Sequence, residues 1–267
     1  WRQFDLIGAI DAADKALQLN PKYVPALIER GDMAREQLGP VPAIAFYERA
    51  LKEAPDSLPI MTRLAEAQGA AGRQVDMLAT TRAMLKKSPK SGAAFFMQGV
   101  MAARAGENDL ARVLLEKADE DMKDVPAYLL AAGTVEFRLG NYNRAVDRLE
   151  RLARMQPNNL KVQRMLARAM YEVGDAEGAL ALIKPLAERS DGDAYARMLT
   201  GRALEALDER AGAAPYIDGA ALAEAGEGDA LPGGASLPVL AAAAAARFVV
   251  DHPRVAGVGL QVDDLIQ

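Results

Sequence analysis

Small residues and helix-favouring apolar residues recur along this chain at a fixed step of 34 residues. Stretches rich in Ala and Leu alternate with polar positions, and a Gly interrupts them at the same step. Ala and Leu favour helices, whereas the aromatic residues that favour strands make up only 5% of the chain. The pattern therefore predicts an all-α protein built from pairs of helices that are joined by short turns.

Four columns of residues share this step or a multiple of it. They are the turn glycines Gly72, Gly106, Gly140 and Gly174; the small residues Gly31, Ala65, Gly99, Gly133, Ala167 and Gly201; the alanines Ala43, Ala111, Ala145, Ala179 and Ala213; and the prolines Pro21, Pro55, Pro89 and Pro157. A Gly in the left-handed conformation ends a helix, and Pro blocks its continuation. Small residues let two helices approach closely. Leu38 and Asp208 replace the turn Gly, and Met77, Thr81 and Met84 predict different packing in residues 58–91.

The columns resemble the tetratricopeptide repeat (TPR) family, for which a period of about 34 residues is typical. The resemblance covers residues 2–221, and residues 129–157 (LLAAGTVEFRLGNYNRAVDRLERLARMQP) are its clearest copy. It implies a right-handed superhelical solenoid of antiparallel helix pairs. We expect a bacterial member of this family.

The phase of the columns predicts three parts of the chain. Residues 1–23 form a partial repeat that holds only a second helix, residues 24–227 form six repeats, and residues 228–267 form a linker with irregular C-terminal helices, which serve as a cap or a divergent repeat. The six repeats are expected to start at Val24, Leu58, Gly92, Pro126, Leu160 and Ala194. The chain starts with Trp1 and stops inside a predicted helix, so we expect a fragment or a processed chain. The compartment stays open between bacterial cytoplasm and periplasm.

The residues that catalysis and metal binding need are scarce. The chain has no Cys and one histidine, His252, which excludes a Cys/His metal site. No phosphate loop, zinc-protease motif or serine-hydrolase motif occurs. A net charge of −5 gives no reason to expect nucleic acid, and the longest apolar run, residues 237–246, is too short to cross a bilayer. The expectation is no enzyme, no cofactor, no metal, no nucleic-acid partner and no transmembrane segment in this stretch.

Function is therefore expected on the face of each repeat's first helix, which the resemblance places inside the superhelix. The second, fifth, ninth and twelfth positions of that helix share one side, here called the groove face. The early repeats give it a mixed polar lining of Ile28, Asp32, Arg35, Thr62 and Glu66, and the later repeats supply nine candidate partner-binding residues: the apolar Phe96, Val100, Leu130 and Phe137, and the basic or aromatic Lys161, Arg164, Arg168, Tyr171 and Arg202.

Each patch allows two interpretations. The apolar residues either anchor a partner segment or pack against neighbouring helices. The basic residues either receive an acidic peptide, a carboxylate or an anionic polymer, or form a solvated face.

Three functions remain open. The first is a scaffold that binds a protein or peptide, acidic or not, in the groove. The second is a periplasmic accessory of exopolysaccharide export or assembly, in which an anionic polysaccharide meets the basic patch. The third is a targeting module of an enzyme whose catalytic domain lies outside this stretch. Because the chain begins within a repeat, self-association through its first helix is also expected.

Overall fold

The computed structural model describes residues 6–189 and 194–227. Over those residues every regular element is a helix, which confirms the predicted all-α fold. The helices are α1 (Leu6–Leu19), α2 (Val24–Leu38), α3 (Pro40–Glu53), α4 (Leu58–Ala70), α5 (Gln74–Lys87), α6 (Gly92–Arg104), α7 (Asn108–Met122), α8 (Pro126–Arg138), α9 (Tyr142–Met155), α10 (Leu160–Glu172), α11 (Ala176–Ala187), α12 (Ala194–Ala206) and α13 (Arg210–Glu227).

The chain divides into two compact units, one holding α1–α7 and one holding α8–α13. Unit 1 covers residues up to Lys123, and unit 2 begins at Asp124. In both units, even-numbered helices are the first members of helix pairs, and each begins 34 residues after the previous one. The predicted boundaries at residues 23/24 and 227/228 stay predictions, and the predicted C-terminal helices of residues 228–267 lie outside the described residues.

Left-handed residues at the position of the glycine column follow five of the six described first helices. After α2, where Leu38 holds that position, Gly39 follows with φ 89° and ψ −175°. Gly72, Gly106, Gly140 and Gly174 have φ values of 73°, 86°, 75° and 89°. The amide of the next residue then bonds back into the helix, as Asn141 N does to Glu136 O at 2.9 Å. Asp208 takes the same role with φ 62°, and Glu209 N bonds to Leu204 O at 2.9 Å. An Asp tolerates this conformation better than most residues do.

The small-residue column lies where the two helices of a pair touch. A β-carbon on Gly31 would come within 2.5 Å of the Tyr47 ring, and one on Gly133 would come within 3.0 Å of Leu149 Cγ. The larger side chain always comes from the second helix of the same pair. The close approach therefore explains why the column holds only Gly and Ala, because a large side chain there would overpack the contact.

Buried side chains between successive helices form the core of each unit. In unit 1, one cluster surrounds Tyr47, and a second contains five methionines: Met61, Met77, Met84, Met97 and Met101. Thr81 is fully buried beside them and accepts a hydrogen bond from Gln98 Nε2 at 3.1 Å. Met77 and Met84 occupy positions that hold Ala in most other pairs, and their flexible side chains adapt to the shape of this core. In unit 2, two clusters are centred on Leu149 and Ile183.

Candidate partner-binding faces

Helix α10 presents the basic part of the groove face in unit 2. Asn159 caps it, because its side chain accepts from the amides of Lys161 and Val162 at 3.2 Å and 3.4 Å. The cap sets the first turn, and Val162 and Leu166 then point into the core. Lys161, which is exposed, begins the opposite side of the helix.

The remaining α10 candidates are partly buried. Arg168 forms an ion pair with Glu172, one turn later, and its guanidinium lies 5.9 Å from the centre of the Tyr171 ring. The Tyr171 ring itself packs against the core cluster that contains Ile183. Arg164 is likewise partly buried. Arg168 is therefore held in place by its own helix, and its single positive charge is already paired with Glu172.

Two basic side chains of this face are exposed and unpaired. Lys161 on α10 and Arg202 on α12 have side chains that form no ion pair or hydrogen bond with any part of the chain that the structure describes. Arg168, by contrast, is paired with Glu172. Because both helices belong to unit 2, this unit carries a surplus of positive charge on its predicted groove face.

The predicted apolar residues fall into both units and differ in exposure. In unit 1, Phe96 is buried, with 7% of its surface exposed, and Val100 is partly buried. In unit 2, Leu130 is partly buried, and Phe137 packs against the cluster around Leu149. The ring of Phe137 meets that of Tyr142 edge-on, with centres 5.2 Å apart. These contacts favour the packing interpretation for Phe96 and Phe137.

In unit 1, the mixed polar lining forms a network of paired charges. Arg35 on α2 bonds to Glu66 on α4 at 3.0 Å, and Asp32 on α2 accepts from Arg63 on α4 at 3.3 Å. Asp32 also accepts from the Tyr47 hydroxyl at 2.6 Å. The two acids balance the two bases, so these four charges are paired with one another.

Asp32, Arg35 and Glu66 are among the predicted groove-face residues, whereas Arg63 and Tyr47 are not. Arg63 occupies a position beside the groove face, and only its long side chain reaches back to Asp32. Burial raises the pKa of Tyr47, and its hydrogen bond to Asp32 raises the pKa further, because ionisation would place a second negative charge beside that carboxylate. Tyr47 therefore acts as a neutral donor that ties the core to the network.

Sites of other kinds are not seen in the described ranges. No group of three or more His, Asp or Glu side chains is placed to hold a metal ion in residues 6–189 and 194–227. Within the same ranges, no helix combines the length and the apolarity that a bilayer span requires. The sole histidine, His252, lies outside them.

Comparisons with known proteins agree with the repeat pattern. Residues 136–203 match the family model of the tetratricopeptide repeat. The curated protein "Cellulose synthase 2 operon protein C" of Komagataeibacter xylinus is 24% identical over 226 residues, which is 76% of this chain. The chain spans only 17% of the length of that relative. The relative is bacterial, in agreement with the expected source.

Solved structures share the fold at low sequence identity. A tetratricopeptide repeat protein from Parabacteroides merdae superposes with a TM-score of 0.54 and 19% identity, over 91% of this chain and 92% of that one. YrrB, described as a TPR protein with an unusual peptide-binding site, gives a TM-score of 0.51 and 16% identity, over 74% of this chain and 97% of that one. The predicted repeat fold is therefore confirmed.

Proposed function

We propose that the chain is a tetratricopeptide repeat scaffold that binds an acidic peptide or protein segment on the groove face of unit 2. The observation that carries the proposal is the exposure of Lys161 and Arg202, whose charged groups have no partner in the described residues. Burying an unpaired cation costs free energy, whereas an exposed one is free to receive a carboxylate.

The arrangement of the neighbouring groups suits such a segment. Arg168 is already paired with Glu172 and lies beside the Tyr171 ring, so Lys161 and Arg202 are the cations proposed to receive a carboxylate. Tyr171 and the partly buried Tyr195 on α12 provide aromatic surface beside the charges. The contrast with the balanced charges of unit 1 supports placing the acidic partner on unit 2. Binding, and not catalysis, is the role proposed for this stretch.

The test compares two charge-reversed variants of the full chain. Lys161→Glu with Arg202→Glu removes the exposed cations of the groove face. Lys52→Glu with Lys90→Glu makes the same change in charge at exposed positions of unit 1 and serves as the control. Binding of a fluorescent peptide rich in Glu and Tyr is measured by anisotropy at two salt concentrations.

We expect the groove variant to bind at least about tenfold more weakly, because two charge-assisted contacts are lost, and the control to bind like the unaltered chain. Affinity purification followed by mass spectrometry, done with the same two variants, then identifies the natural partner. Equal binding by both variants would overturn the proposal.

A second function is favoured by the curated relative. A protein of a cellulose synthase operon is similar over most of this chain, so we propose as the alternative that the array serves exopolysaccharide assembly or export in the bacterial envelope. Co-sedimentation with a polyuronate and with a neutral cello-oligosaccharide separates the two ideas. If the chain retains the polyuronate and Lys161→Glu with Arg202→Glu abolishes that retention, the exopolysaccharide function is favoured. If the chain retains neither polymer, the peptide-binding function is favoured.

A further inference from the structure

An open groove lies along the second helix of a repeat in unit 2, away from the residues of the groove face. It has a volume of about 590 Å³ and runs between α11 and the turn that joins α12 to α13. Its lining consists of Glu177, Leu180, Ala181, Lys184, Pro185, Glu188, Leu207 and Glu209. We call it the α11 groove. It shares no residue with the predicted partner-binding set, so it is a separate surface.

The middle of the α11 groove is apolar and holds an unusual backbone acceptor. Leu180, Ala181, Pro185 and Leu207 provide its apolar surface. Pro185 lies inside α11 and has no backbone N–H, so the carbonyl oxygen of Ala181 lacks the donor that a helix normally supplies four residues later. Both residues are exposed, so this carbonyl is available to an N–H group that enters the groove.

Carboxylates surround that apolar surface. Glu177 and Glu209 are exposed, and their side chains have no ion pair or hydrogen bond with the described residues. Glu188 accepts from the Tyr216 hydroxyl at 2.7 Å and lies 4.0 Å from Lys184 Nζ. Three acids therefore face one base, and two of the acids are uncompensated.

We infer that the α11 groove binds a basic peptide segment of a partner protein, in which an Arg or Lys stands next to an apolar residue. A guanidinium offers five donors, which suit two unpaired carboxylates and a carbonyl that lacks its usual helix donor. The methylene stem of an Arg or Lys packs on Leu180 and Pro185, while its charged head reaches the acids. The acids lie on two elements and are not grouped as metal ligands within the described residues, which favours an extended organic cation over an ion.

The test uses the full chain and a fluorescent seven-residue peptide that contains two Arg residues and a Leu between them. Its counterpart carries Gln in place of each Arg. Glu177→Lys with Glu209→Lys reverses the two unpaired acids, and Asp147→Lys with Asp218→Lys makes the same change at exposed acids outside the groove. Ala181→Trp fills the groove without changing its charge. Circular dichroism confirms that each variant is folded, and anisotropy measures binding.

We expect saturable binding of the Arg peptide that weakens about tenfold or more in Glu177→Lys with Glu209→Lys and in Ala181→Trp, because charge pairing and apolar contact both contribute. The control pair and the unaltered chain should bind the Arg peptide equally well, and neither of them should bind the Gln peptide. Equal binding by the control pair and the groove pair would overturn the assignment. Displacement of the peptide by spermidine at the same total concentration of positive charge would also overturn the assignment, because a small polyamine without an apolar residue would then bind the groove equally well.

This outcome is independent of the proposed function. The Arg peptide is matched to the α11 groove, and the Glu/Tyr peptide is matched to the groove face. The variant Lys161→Glu with Arg202→Glu should leave the Arg peptide bound, so failure of one surface is distinguishable from failure of the other.

Discussion

The groove faces of the two units use charge in opposite ways. In unit 1, Arg35 and Glu66, like Asp32 and Arg63, join neighbouring first helices, so the charges stabilise the stack. In unit 2, Lys161 and Arg202 have no such partner in the described chain. The two groove faces therefore differ in how many of their charges are paired within the described chain. The proposed recognition role of unit 2 rests on this difference.

The largest expected effect comes from removing the side chain that joins the core of unit 1 to its charge network. Tyr47 is completely buried. Tyr47→Ala leaves a cavity beneath Gly31 and deprives Asp32 of a donor, and we expect it to lower the free energy of unfolding by about 3–5 kcal/mol. Urea unfolding followed by circular dichroism measures the loss. A loss below about 1 kcal/mol would show that the ring is not a central part of the core.

Replacing a glycine of the small-residue column with Ala should have the next largest effect on stability, and the effect should differ between the two units. In Gly31→Ala the new methyl group meets the Tyr47 ring, which Asp32 holds, so overpacking should cost about 1–3 kcal/mol. In Gly133→Ala it meets Leu149, a flexible side chain, and the higher helix propensity of Ala, about 1 kcal/mol, offsets much of the strain. Thermal unfolding should therefore show a clear loss for the first variant and little change for the second. Equal losses would contradict this reading of Tyr47.

High pH should weaken unit 1 through the same residue. The pKa of Tyr47 is raised above its ordinary value in the folded chain by burial and by its bond to Asp32. The stabilisation is therefore fully present below the unfolded pKa of about 10 and is lost as pH rises above it, by up to about 1.4 kcal/mol per pH unit. Tyr47→Phe is the control, and it should remove this part of the pH dependence in denaturant titrations between pH 9 and 11. An unchanged slope would argue against a neutral, buried hydroxyl.

Reversal of single charges gives the smallest effects and tests the comparison most directly. Glu66→Lys breaks the pair with Arg35 and places two cations together, and we expect a loss of about 0.5–1 kcal/mol after discounting for solvent screening of these partly exposed groups. Lys161→Glu breaks no pair and should change stability by less than about 0.5 kcal/mol. Differential scanning fluorimetry at low and high salt measures both. A loss for Lys161→Glu that matches that of Glu66→Lys would remove the distinction between the units.

Much of the fold could be predicted from the sequence because helix ends and close contacts need particular residues. Gly72, Gly106, Gly140 and Gly174 occupy left-handed positions that few other residues tolerate, so the column fixes where the first helices end. Gly31 and Gly133 mark close helix contacts for a similar steric reason. The Asp at 208 shows that the backbone geometry persists where the glycine is replaced.

The candidate site was less predictable, because periodicity gives only the direction of a side chain around its own helix. It does not give the depth to which neighbouring helices cover that side chain, so Phe96 was expected in the groove and is buried. It also does not give the reach of long side chains, which is why Arg63 was missed. The α11 groove depends on how the turn at Leu207 and Glu209 meets α11, a contact with no local signature in the sequence.

The ion pairs of unit 1 also constrain how this sequence can change. Lys22–Glu53, Asp32–Arg63, Arg35–Glu66 and Asp56–Lys87 each join residues 31 positions apart. That interval is one repeat less three residues, so each residue pairs with the next repeat about one helical turn earlier. Inserting or deleting a single residue between such partners would rotate one of them by about 100° around its helix. The pairs therefore depend on a fixed repeat length. Insertions and deletions between the partners break them, whereas substitutions elsewhere do not.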